Sequence, residues 1–154
     1  MTELPDWAAT LDLAPHPEGG YYRQTWISDL ALPKSVLPQG YPAGRPGATA
    51  ILFLLMPGQQ SSWHTVRGSE IWLHHRGAPV ALGLGGLGAE PSDERTVYVG
   101  SDVLAGQHPQ YVVIPGEWQR ASPHGDEASL VSCIVVPGFD FADFTMFDPD
   151  SGQR

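Results

Sequence analysis

The sequence predicts an all-β fold, an antiparallel sandwich or barrel, and three observations carry that expectation. Glycine (18) and proline (15) make up about a fifth of the 154 residues, dense punctuation that leaves little room for long helices. Nine short runs rich in aromatic and β-branched residues can be marked as strands. Turn signals separate them roughly every eight to twelve residues, the spacing of sandwiches and barrels. At 154 residues the chain has the length of one domain (1–154), and 42% hydrophobic residues supply a core.

Taken in order, Trp7, Leu11 and Leu13 lie near helical spacing after Pro5, so one short N-terminal helix is expected. Pro15-His16-Pro17-Glu18-Gly19-Gly20 is a turn, and Tyr21–Ile27 alternates in polarity as a strand does. Residues 30–47 carry four prolines and three glycines and are expected to form a long surface excursion without regular elements. Residues 48–56 are almost wholly apolar, as in a strand buried on both faces, and Pro57-Gly58 ends it. Further strands are expected at 61–66, 70–75, 79–83, 96–99, 110–114, 117–121 and 129–136. The glycines of 82–88 precede no Gly-Lys-Ser/Thr and are read as a turn, not a phosphate loop. After Pro137-Gly138, the aromatics of 139–147 are spaced to cap an open barrel end or fill a partner groove, with core packing the expected use, and a short C-terminal helical segment is expected.

Charge narrows the function classes. Lys and Arg number 8 against 17 Asp and Glu, a net charge of -9, which repels phosphate backbones and anionic lipid. Neither nucleic acid nor membrane is an expected partner; a small-molecule ligand is. A single cysteine, Cys133, makes no internal disulfide, and the start Met1-Thr2-Glu3-Leu4-Pro5 lacks a basic, apolar leader, so a cytoplasmic protein is expected.

The chemistry-bearing stretch is 58–77. Side chains alternate along a strand, so Ser62, His64 and Val66 share one face, and Glu70, Trp72 and His74 share a face of the next strand. If both faces point inward, His64, Glu70 and His74 converge on one cavity, able to bind a divalent metal or to act as acid and base. His64 and Glu70 are the candidate catalytic pair, or else a hydrogen-bonded pair that stiffens the barrel. Glu18, Tyr21, Arg23, Ser62, Trp72, His74 and Gln119 are candidate substrate contacts, with Tyr21, Arg23 and Thr25 on a common face. Arg23 would suit a carboxylate, phosphate or keto oxygen, or be an exposed arginine paired with an acid. Cys133, without a nucleophile motif around it, is read as inert core.

The spacing Gly58-x5-His64-x-Val66-x3-Glu70-x6-Gly77 resembles the first cupin motif, G-x5-H-x-H-x3-E-x6-G, with Val66 in place of the second histidine. The second motif, P-x-G-x2-H, is similar to 114–119, where Gly116 fits and Gln119 takes the histidine's place. Segments 15–25, 48–55, 69–72, 106–110, 116–119 and 136–144 together resemble the DUF985 (cupin-5) branch of the RmlC-like cupins over about residues 11–145. The resemblance implies a double-stranded β-helix, or jelly-roll barrel, with a ligand pocket inside it, in a protein expected to be a homodimer with residues 48–56 under the partner. It implies an isomerase- or epimerase-like enzyme that moves protons on a small sugar-like or keto compound without a redox cofactor. The alternatives are a metal-dependent oxygenase or lyase, with a divalent ion on His64, Glu70, His74 and Gln119, and a non-catalytic binding protein.

Overall fold

The structure, a computed structural model, describes residues 3–152. Met1 and Thr2, on which part of the leader expectation falls, lie outside the described residues. One helical turn, α1 (Asp6–Ala9), is followed by thirteen strands. They are β1 (Ala14–Pro15), β2 (Tyr21–Ile27), β3 (Ala31–Leu32), β4 (Arg45–Pro46), β5 (Thr49–Leu55), β6 (His64–Val66) and β7 (Ser69–Gly77), then β8 (Val80–Leu84), β9 (Arg95–Val99), β10 (Gln110–Val113), β11 (Gln119–Pro123), β12 (Ser129–Val136) and β13 (Phe144–Met146). Two antiparallel sheets, ordered β1-β2-β5-β12-β7-β10 and β13-β6-β11-β8-β9, make the double-stranded β-helix that the turn spacing and the motifs imply.

The main core lies between the sheets, where Phe53, Leu55, Trp72, Leu82, Leu84, Val99 and Val131 are almost fully buried. On the other face of β5, Leu54 and Met56 pack with Ala8, Leu130, Trp7 and Leu11, so α1 and its flanks cover the sheet from outside. That explains why residues 48–56 read as apolar throughout: each face meets its own layer. The cover of Leu54 and Met56 comes from the chain itself.

All nine expected strands form, with two shortened at their starts. Residues 61–63 stay outside β6 because Ser61 N–H donates to the Ala121 carbonyl (2.8 Å) and Ser62 N–H to the Glu18 carbonyl (2.8 Å). Residues 117–118 belong to the turn at Gly116 (φ +78°), closed by Glu117 N–H to the Ile114 carbonyl (3.2 Å). The excursion at 30–47 departs from expectation. It holds the β3–β4 pair and a 3-10 turn at Lys34–Val36, and it buries Tyr41 and Arg45. Its anchor is polar: Arg45 Nε and Nη2 donate to the two oxygens of Asp143, at 2.7 and 2.9 Å. The C-terminal helical segment appears as two 3-10 turns, Phe141–Asp143 and Pro149–Gly152.

Candidate functional site

The site begins at the turn before β2. Gly20 adopts φ +81°, and a Cβ there would meet the Leu54 carbonyl and the Phe53 ring at 2.9 Å, so glycine lets the turn lie against β5. Within it, Glu18 N–H donates to His16 Nδ1 (3.1 Å), while the Glu18 carbonyl accepts from Ser62 N–H. That second bond ties the turn to the segment entering β6 and brings the Glu18 side chain beside His64. Phe144, delivered by the pairing of β13 with β6, stacks on the His64 ring at 5.1 Å.

These elements enclose a cavity of about 130 Å³ at one end of the barrel. His16, Glu18, His64, Glu70 and Cys133 supply its polar groups, with Gln24 and Thr49. Tyr22, Phe139, Phe141, Phe144, Ile51, Val66 and Val135 form the apolar wall. Small-molecule sites have this make-up, a mostly apolar pocket with few polar groups.

His64 is 2% exposed. Its Nδ1 lies 2.9 Å from the Ser62 carbonyl and 2.8 Å from Glu18 Oε2. Both neighbours are acceptors, so Nδ1 carries the proton and Nε2 is the nitrogen available to a ligand. The N–H points at Ser62, which leaves Glu18 Oε2 in ion contact but without an aligned donor. Burial disfavours the imidazolium, but the Glu18 carboxylate, then Glu70 and the Ser62 carbonyl, outweigh it and push the pKa up to about 9. Burial likewise raises the Glu70 carboxyl, only partly offset by His64 and by hydrogen bonds from Gln119 and Cys133. Burial lowers His16, whose Nδ1 is already an acceptor, and it remains neutral. The Cys133 thiol is pushed well up by burial and by the two carboxylates, so it is a neutral donor to Glu70 rather than a nucleophile.

Residues 5–147 match the family model of the cupin superfamily described as Cupin_5 (DUF985). The chain belongs to this family. Among solved structures, a hypothetical protein from Leishmania major is 34% identical with a TM-score of 0.79, over 92% of this chain and 85% of that one. A protein from Shewanella oneidensis is 30% identical with a TM-score of 0.80, over 98% and 88% of the two chains. A Klebsiella pneumoniae protein described by its double-stranded β-helix domain shares the fold at 14% identity, TM-score 0.57, over 95% and 99%. No curated protein matches the chain.

Set on this cupin barrel, the expected site residues divide. His64, Glu70 and Glu18 meet in the cavity. Gln119 and Trp72 lie behind it: Trp72 Nε1–H donates to Gln119 Oε1 (3.0 Å), and Gln119 Nε2–H donates to Glu70 Oε2 (2.6 Å). They hold Glu70 and do not line the cavity, contrary to the expected direct contacts. His74 does not converge with His64 and Glu70. Four residues along a strand span about 13 Å, and His74 Nε2 sits instead 3.1 Å from the Ala78 carbonyl. Ser62 contributes its backbone and leaves its side chain exposed. On β2 the inward face is Tyr22 and Gln24, so Tyr21 packs toward the outer cluster and Arg23 is exposed. His16, Tyr22, Gln24, Cys133 and the phenylalanines at 139, 141 and 144 are the lining residues that the strand faces did not assign. The signal for His16 was its place in a Gly-Gly turn with Glu18.

Many cupins hold a metal on three histidines and a glutamate, but the residues present here do not fit one. Val66, at the second histidine's position, puts an isopropyl group in the cavity, and the Gln119 amide is bonded on both sides. Among the described residues no group of three or more His, Cys, Asp or Glu is arranged to hold a metal ion. The four-residue set His64, Glu70, His74 and Gln119 is therefore corrected to a dyad with a supporting amide.

Proposed function

We propose that this cupin catalyses proton transfer on a small keto or sugar-like compound, as an isomerase or epimerase does. One observation supports this above the others: a buried imidazole whose Nδ1 is held by Glu18 and Ser62 faces the same cavity as a second carboxyl, Glu70. With a pKa near 9, His64 is an acid at neutral pH, and Glu70, raised by burial, is a base of useful strength. Glu70 takes the proton from the carbon beside a carbonyl while His64 Nε2–H gives one to the carbonyl oxygen. The neutral enediol so formed collapses when His64 takes back a hydroxyl proton and Glu70 returns its proton to carbon. Glu18 keeps the imidazolium oriented, and the Trp72–Gln119 chain orients Glu70.

The reading is tested by incubating the protein with a panel of keto compounds and sugars in deuterated water. Deuterium should enter the carbon next to the carbonyl, and Glu70→Gln and His64→Gln should abolish it. Compounds that bind without any exchange would make this a binding protein instead.

A further inference from the structure

The cavity's charge inventory is one-sided. Of the eight lysines and arginines, Arg154 lies outside the described residues and none of the others lines the cavity. Arg45 and Arg67 are spent on Asp143, Arg76 and Arg120 lie over Trp7 and Trp63, Arg95 donates to Tyr111, and Arg23 and Lys34 are exposed. An anionic ligand would be buried beside Glu18 and Glu70 with no cation except His64, which Glu18 already holds. A cationic ligand would meet the Glu70 carboxylate, so the inventory decides against anions. The wall points the same way. Phe139, Phe141 and Phe144 meet edge to face, with centroids 5.0, 6.1 and 6.1 Å apart, and Ile51 and Val135 also line the cavity. At about 130 Å³ it approaches the roughly 150 Å³ of an engineered cavity in another protein that takes up benzene.

We infer that, of the keto and sugar-like classes, the cavity selects a keto compound without negative charge, with an apolar body the size of a benzene ring against the phenylalanines and one oxygen at His64. Phosphorylated sugars, nucleotide-linked sugars and dicarboxylates are excluded. The inference rests on the proton-transfer reading only for the keto class and the oxygen's place at His64.

Two near-isosteric probes test it by calorimetry at neutral pH: benzamide (neutral) and benzoate (anion). Benzamide should bind at least about tenfold more tightly than benzoate, the discrimination expected when an anion would be buried beside two carboxylates without a free cation. Phe141→Ala, at a half-exposed position that tolerates truncation, should weaken benzamide several-fold. Gln24→Arg, which puts a cation at an exposed lining position, should strengthen benzoate. Equal or tighter binding of benzoate, no saturation by either probe up to about 10 mM, or a Phe141→Ala protein that binds benzamide as well as wild type would each overturn the inference. Preferential benzamide binding in a protein that never exchanges deuterium would defeat the proposed catalysis and leave the ligand class standing. Exchange confined to negatively charged substrates would do the reverse.

Discussion

Two buried ionic clusters lie near each other in this barrel, and they are finished to different degrees. At Asp143 both carboxylate oxygens are saturated: Oδ2 accepts from Arg45 Nε, and Oδ1 accepts from Arg45 Nη2 and from Arg67 Nε at 3.0 Å. Arg45 spends its remaining nitrogen on the Gly44 carbonyl at 2.9 Å. At Glu18, His64 and Glu70 the accounts stay open: Glu18 Oε2 lacks an aligned donor, Glu70 is raised by burial, and a solvent-sized space adjoins all three. A cluster whose every donor and acceptor is answered stiffens a fold. One with an unanswered buried acceptor and displaced pKa values is poised for a ligand.

Substitutions in the two clusters should therefore differ in their effect on activity. The largest effect is expected for His64→Gln, which should cut the deuterium-exchange rate by about 10²–10⁴-fold, the usual worth of a general acid, and at neutral pH should also lose the stability that the ion contact with Glu18 supplies. Asp143→Ala should leave the proton-moving groups in place and lose about 3–5 kcal/mol in urea unfolding, because Arg45 is left charged and buried. If Asp143→Ala unfolds like wild type, the contrast between the clusters fails.

A smaller effect concerns pH. The folded-state pKa of His64, about 9, lies above its ordinary value of 6.5, so its protonation stabilises the fold. That contribution is complete below pH 6.5 and is lost as pH rises through about 9. Tm should fall between these values more steeply in wild type than in His64→Gln, and the exchange rate should lose its alkaline limb near the same pH. Gln119→Leu sharpens the picture on the acid side. Removing a hydrogen bond that lowers the Glu70 pKa should move the acid limb of the exchange profile to higher pH. An unmoved limb would mean that Glu70 is not the titrating base. The smallest effect belongs to His75→Ala on the exposed outer face, within about 0.5 kcal/mol of wild type and without change in exchange.

The fold was largely legible because glycine and proline mark strand ends and because a strand covered on both faces reads as an unbroken apolar run, as β5 does. The two-residue strands β1, β3 and β4 carry no periodicity to detect, and β13 was hidden in an aromatic run. The site was legible in part. Alternation put Glu70, Trp72 and His74 on one face, but it does not say where along the barrel each sits, and only Glu70 reaches the cavity. On β2 the alternation offered two faces with an aromatic on each, Tyr21 and Tyr22, because both sides of that sheet are covered. Nothing local in the sequence chooses between them. Glu18 was recognised as a candidate, but its pairing with His64 depends on a backbone bond to Ser62, formed 44 residues further along the chain.

The Arg45–Asp143 bond joins residues 98 apart, and the aromatic rim beside it comes from the last tenth of the described chain. During synthesis, Glu18, His64 and Glu70 leave the ribosome long before the phenylalanines that roof them. Contacts between such distant residues form slowly. The three ionisable groups thus remain hydrated through most of assembly, and only the arrival of residues 139–144 dries the chamber around them. Ligand capture is in this sense the final act of folding, available only to chains that have been made nearly to the end.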